Sequence, residues 1–155
     1  DFENGLAGWT SESLAGETSW ELGAPNIPAL SAASSGDHAW GTNLDGDYSS
    51  DAVASLRSPL VDLSKVSYAT TLSFQYFIDS TEDVEGGQLR ILSEAGEELY
   101  THETLFTGTR ETWTTFKLPL PISLQDQKII VEFLFLSNSD ANVSAGWYLD
   151  DVIIR

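Results

Sequence analysis

Along "ATTLSFQYFI", Leu72, Phe74, Tyr76 and Ile78 alternate with Thr71, Ser73 and Gln75. A period of two predicts a strand with one face buried and one wet. "GGQLRILSEAG" followed by "EELYTHETL" predicts a hairpin that turns at Glu94 to Gly96. "ETWTTFKLPL" continues the alternation, whereas "KIIVEFLFLSN" is apolar on both sides and predicts a strand at the centre of a sheet. No stretch carries a long helical period. Short strands broken by Gly, Pro, Asn, Asp and Ser predict an all-β chain, an antiparallel β-sandwich or jelly roll, with almost no helix.

The first fifty residues read differently. They are rich in Gly, Ser, Ala and Pro, with isolated tryptophans at Trp9, Trp20 and Trp40, so long loops are expected there. Strand-like residues resume on both sides of "LGAPNIPALSAASSG", which therefore reads as a loop within one domain rather than a linker. The expectation is a single domain over residues 1–155, monomeric in isolation. The absence of Met suggests a module excised from a longer protein.

Charge narrows the function. Seven Lys and Arg stand against 24 Asp and Glu, a formal net charge of −17. Such a chain repels phosphate backbones, which excludes nucleic acid as a natural partner. No apolar run approaches the roughly 18 residues of a membrane span, so insertion is not expected. Self-repulsion of this size is relieved by bound cations, and calcium is the ion that carboxylates favour. With no Cys there is no disulfide framework, thiol nucleophile or Cys-based zinc site.

The terminal "GWYLDDVIIR" sharpens the calcium question, because Asp150 and Asp151 interrupt an apolar strand and need compensation if buried. The bland reading is a solvated strand end with loop amides on the carboxylates. "NLDGDY" at Asn43 to Tyr48 places oxygens at Asn43, Asp45 and Asp47, but its Gly comes early and its twelfth position is Ala54, so it reads as an Asp-Gly turn and not an EF-hand. Of the aromatics, Trp9 and Trp113 read as core. Trp20, Trp40, Trp147 and Tyr48 sit in polar or Gly-rich surroundings and read as partly exposed.

Catalysis finds little support. His38 and His102 are the only histidines, and there is no Gly-x-Ser-x-Gly elbow, His-Glu-x-x-His helix or phosphate-cradling loop. The chain is read as not an enzyme.

In order, "DFENGLAGWT", "TSWELG", "GDHAWGTNLDGDY", "SLRSPLVDLS", "TLSFQYFID", "ETWTTFKLPL", "IIVEFLFLSN" and "GWYLDDVII" resemble the landmarks of MAM-like domains, including bacterial cleaved-adhesin domains, from Phe2 to Ile154. The cysteines of animal MAM modules are missing, which places the likeness on the bacterial side. The resemblance implies a jelly-roll sandwich whose first and last strands lie close together. It also implies a structural Ca²⁺ held by Glu3 of the first strand, Asp150 of the last and the loop "GDHAW", with Asp37 as its side-chain ligand; Asp151, expected on the opposite strand face from Asp150, is the less favoured fourth.

Together these features lead to the expectation of a non-catalytic, calcium-stabilised accessory module of a secreted or cell-surface bacterial protein, with a hydrolase as the expected parent, which engages an extracellular polysaccharide or protein. The alternatives are a protein–protein adhesion domain and a small jelly-roll enzyme that degrades polysaccharide.

Overall fold

The computed structural model describes residues 1–66 and 68–155. Eleven strands run through them: β1 (Thr10–Ala15), β2 (Glu21–Gly23), β3 (Ala39–Gly41), β4 (Val53–Arg57), β5 (Val61–Asp62), β6 (Thr71–Asp79), β7 (Gly86–Ser93), β8 (Glu98–Thr101), β9 (Thr114–Pro119), β10 (Lys128–Leu136) and β11 (Gly146–Ile154). The one helical element among them is a 3₁₀ turn, Ile122–Leu124. The first sheet has the order β1-β4-β10-β7-β8, with β5 also paired to β10; the second has the order β2-β3-β11-β6-β9. All the strand pairings are antiparallel. The expected antiparallel sandwich is therefore the fold.

The alternation read from the sequence is the one the core uses. Leu72, Phe74, Tyr76 and Ile78 of β6 point inward with Trp147 and Leu149 of β11, and they meet Phe133 and Phe135 of β10 from the facing sheet. Phe74 and Phe133 make an edge-to-face contact at 5.0 Å, and Trp147 stacks on Phe106 at 5.0 Å. Gly87 of β7 makes room for this packing. A Cβ there would lie 2.1 Å from the Trp147 ring. The strand β10 is central, as its two-sided apolar run predicts, and the β7–β8 hairpin turns where expected, with the Gly96 amide donating to Ser93 O at 2.9 Å.

Three tryptophans and a tyrosine depart from expectation. Trp20, Trp40, Tyr48 and Trp147 are all buried, not partly exposed. For two of them a glycine supplies close backbone approach: Gly146 abuts Tyr48, and Gly87 abuts Trp147. Trp9 and Trp113 are instead only partly buried, packing against the rims of two separate clusters. The second cluster exists because the segment 24–38 folds over the outer side of the second sheet. Ile27 and Leu30 pair with each other and cover Phe77 and Tyr148, and the Trp113 indole donates to Ala32 O at 3.0 Å.

The edge strand β1 is exposed along its length, and its pairing with β4 breaks register between Ser13 and Ala15.

Candidate functional site

The segment 24–38 ends in a loop, Ser35 to His38, clasped from two sides by acids distant in sequence. From one side Glu3 reaches in. Its Oε1 accepts the amides of Asp37 (3.0 Å) and His38 (2.8 Å), and its Oε2 lies 3.2 Å from His38 Nδ1. These donors, led by the His38 amide, hold the Glu3 carboxyl below its ordinary range. Gly36 permits the approach, with φ of 60° and no Cβ; an added Cβ would fall 2.4 Å from Glu3 Cδ.

From the other side come the two terminal aspartates. Asp150, fully buried, accepts the Ser35 amide at 2.9 Å and the Asp151 amide at 2.6 Å. Burial pushes its carboxyl upward, and these two amides pull against that. Ser35 Oγ donates to Asp151 Oδ1 at 2.7 Å. The expectation that Asp150 and Asp151 face opposite ways is corrected here. Asp151 takes φ of 49° and the pairing with β6 shifts register between Asp150 and Ile153, so a bulge turns both carboxylates toward Ser35. Glu3 likewise lies in the turn before β1 and not in a strand.

The residues named from sequence thus gather around one loop, but in unequal ways. Glu3, Asp150 and Asp151 contribute carboxylates, while Asp37 is exposed and contacts Glu3 through its backbone amide. As the side chains stand, no three His, Asp or Glu among the described residues form a cage for a metal. An ion here would need backbone carbonyls of the loop as well, which suits calcium more than a transition metal. "NLDGDY" closes as a polar turn, Asn43 Nδ2 donating to Asp47 O at 2.8 Å and accepting the Asp45 amide on its Oδ1 at 3.3 Å.

A second polar constellation was missed in the sequence. On the outer side of the first sheet, Thr10, Arg57, Glu132, Arg90 and Thr101 form one row across five strands. Glu132 is fully buried beneath the arginines. Its Oε1 accepts Ser55 Oγ (2.7 Å) and Arg57 Nε (2.9 Å), and its Oε2 accepts Arg90 Nε (2.6 Å). Burial raises this carboxyl, yet the bonds from Ser55, Arg57 and Arg90 outweigh it and hold it below the ordinary range. A lone acid inside "IIVEFLF" carried the same signal as Asp150 inside "WYLDDV".

No family model matches the chain. It is 30% identical over 154 residues to bacillopeptidase F of Bacillus subtilis (strain 168), a match that takes in 99% of this chain and 10% of that protein. Among solved structures, the carbohydrate-binding module TmCBM61 in complex with β-1,4-galactotriose aligns with a TM-score of 0.64 at 16% identity, over 99% of this chain and 92% of that one. The K1 cleaved-adhesin domain of Lys-gingipain from Porphyromonas gingivalis W83 aligns with a TM-score of 0.60 at 20% identity, over 99% and 94%. The fold is thus the β-sandwich shared by carbohydrate-binding modules and cleaved-adhesin domains. No helix among the described residues is long and apolar enough to cross a membrane.

Proposed function

We propose that residues 1–155 are a non-catalytic accessory module of a secreted or cell-surface bacterial protein, and that the module binds an extracellular polysaccharide or protein and holds its parent close to that target. The observation that carries this reading is the likeness, over nearly the whole chain, to modules whose business is binding, one of them solved with a galactan trisaccharide. The match to one tenth of bacillopeptidase F supports a hydrolase as the parent. The ordered landmarks from Phe2 to Ile154 support the narrower MAM-like, cleaved-adhesin label.

Calcium belongs to the same reading. Glu3, Asp150 and Asp151, with carbonyls of the 35–38 loop, would hold it, and the ion would tie the N-terminal turn, the loop and the last strand into one unit. What supports it is a fully buried Asp150 that receives two amide bonds and, among the described residues, no cationic side chain.

The test is retention of the labelled chain on an array of plant and bacterial polysaccharides, run beside a panel of surface proteins. Binding to a glycan class is the expected result. Retention on proteins alone would select the adhesion alternative, and release of reducing sugar from any bound polymer would select the enzyme.

A further inference from the structure

At one side of the sandwich the edge strands β8 and β9 belong to different sheets, and the segment 102–113 bridges them. That segment is pinned to both. Phe106 and Gly87 exchange backbone bonds of 2.8 Å each way, the Arg110 amide donates to Ile78 O at 2.8 Å, and the Ser80 amide donates to Gly108 O at 3.1 Å. Between the sheets it leaves a pocket of about 290 Å³. Its walls are the rings of Tyr76, Phe106 and Phe116, with His102, Thr104 and Arg110 at the mouth. The rings brace one another: Phe106 meets Tyr76 at 5.0 Å and Phe116 at 4.9 Å, both edge-on, and the His102 ring meets Phe116 at 5.1 Å. A volume near the lower end of the roughly 300–1,000 Å³ range of small-molecule sites suits one sugar ring.

The charge at this pocket runs against the rest of the molecule. With 7 Lys and Arg against 24 acids, most of the surface is negative. Arg57 and Arg90 are committed to Glu132, whereas the Arg110 guanidinium lies over the Tyr76 ring, 5.9 Å from its centre, with no carboxylate within ion-pair distance among the described residues. Glu103 and Glu111 are exposed neighbours in sequence, and Asp79 accepts Thr109 Oγ1 at 2.9 Å. A planar guanidinium with its donors free, beside an imidazole and a hydroxyl, matches a carboxylate on a polyhydroxylated ring.

Building on the reading of the chain as a binding module, we propose that this pocket takes a uronic acid residue of an acidic polysaccharide, its carboxylate on Arg110 and its ring against Tyr76, Phe106 and Phe116. The molecule as a whole repels a polyanion, so a preference for acidic over neutral sugar has to originate in this local site.

Calorimetric titration of the whole chain with trigalacturonate and with β-1,4-galactotriose tests the inference, with backbone amide shifts mapping the site. The acidic trisaccharide is expected to bind at least tenfold more tightly, to shift amides of residues 102–110, and to lose that preference in Arg110→Gln with an unchanged melting curve. Equal affinity for the two sugars, a preference that survives Arg110→Gln, shifts confined elsewhere, or equal competition by oligoglutamate at the same amides would each overturn it. If a neutral glycan binds away from the pocket, the binding-module reading stands and this inference alone fails. If no glycan on the array binds, both the polysaccharide reading and this inference fall.

Discussion

Glu3 and Asp150, separated by almost the whole sequence, hold the same short loop by its backbone: Glu3 takes the amides of Asp37 and His38, and Asp150 takes that of Ser35. The loop closes the N-terminal turn onto the final strand.

That closure makes the calcium proposal measurable. An ion bound only by the folded state adds about 2.7 kcal/mol at a hundredfold excess over its dissociation constant, or roughly 5–10 °C in melting temperature. EDTA should lower the melting temperature, and Asp150→Asn should remove most of the response while Asp47→Asn leaves it. A melting curve indifferent to both calcium and EDTA would leave the amide bonds of Ser35 and Asp151, with the Asp1 ammonium beside Asp151, to compensate Asp150 without an ion. Gly36→Ala should abolish the response as well, since the new methyl collides with the Glu3 carboxylate.

Glu132→Gln removes the charge that two arginines share, and an expected cost of about 2 kcal/mol should appear in urea unfolding. The pH sign follows from its depressed carboxyl. Its contribution is present above the ordinary carboxylate range and is lost as pH falls through the lower folded value, so stability drops below about pH 4.5. Stability of the Gln variant should fall less steeply there; parallel acid limbs would show that other carboxylates set the slope.

Glu85 is fully buried, with Tyr48 Oη donating to its Oε2 and the Asn138 amide to its Oε1 at 3.0 Å. Tyr48→Phe deletes one of those donors, and a loss of roughly 1–3 kcal/mol is expected. Burial and the neighbouring Glu85 also push the Tyr48 hydroxyl well above its ordinary range, as burial does for Tyr148, so alkaline difference spectra should show two phenols titrating late and the Phe variant should lose one of them. Unchanged stability in the Phe variant would mean that Glu85 finds a replacement donor.

Gly87→Ala inserts a methyl against the Trp147 ring, where the strand and the stacked Phe106 leave little room to yield. Overpacking should cost about 1–3 kcal/mol and alter tryptophan fluorescence. A variant with native fluorescence and stability would show that the ring can shift.

What could be read beforehand follows a physical divide. Strands β6 and β9 were legible because each inward side chain is decided by its own alternation, and β10 because its run is apolar on both sides. That Glu3 and Asp150 meet at one loop was legible only through a family resemblance, and the bonds each makes there were not. Ser35 carries no chemical mark in a run of Ser and Ala, yet its amide and hydroxyl engage both aspartates. The bulge at Asp151 depends on the partner strand, so strict alternation put that carboxylate on the wrong side. Trp147 and Tyr48 misled for a related reason: Gly-rich surroundings looked like exposure, yet Gly87 and Gly146 let the backbone pack closely against them.

The broken register of β1 bears on how this sandwich behaves when crowded. An open strand edge invites a neighbour to extend the sheet, and that is how ordered aggregates grow. Here the edge twists between Ser13 and Ala15, carries Glu12 within the strand, and belongs to a chain of formal charge −17. Two copies meeting edge to edge find mismatched hydrogen-bonding groups and mutual repulsion. Crowding at high local concentration would therefore leave each sandwich a separate particle instead of seeding fibrils.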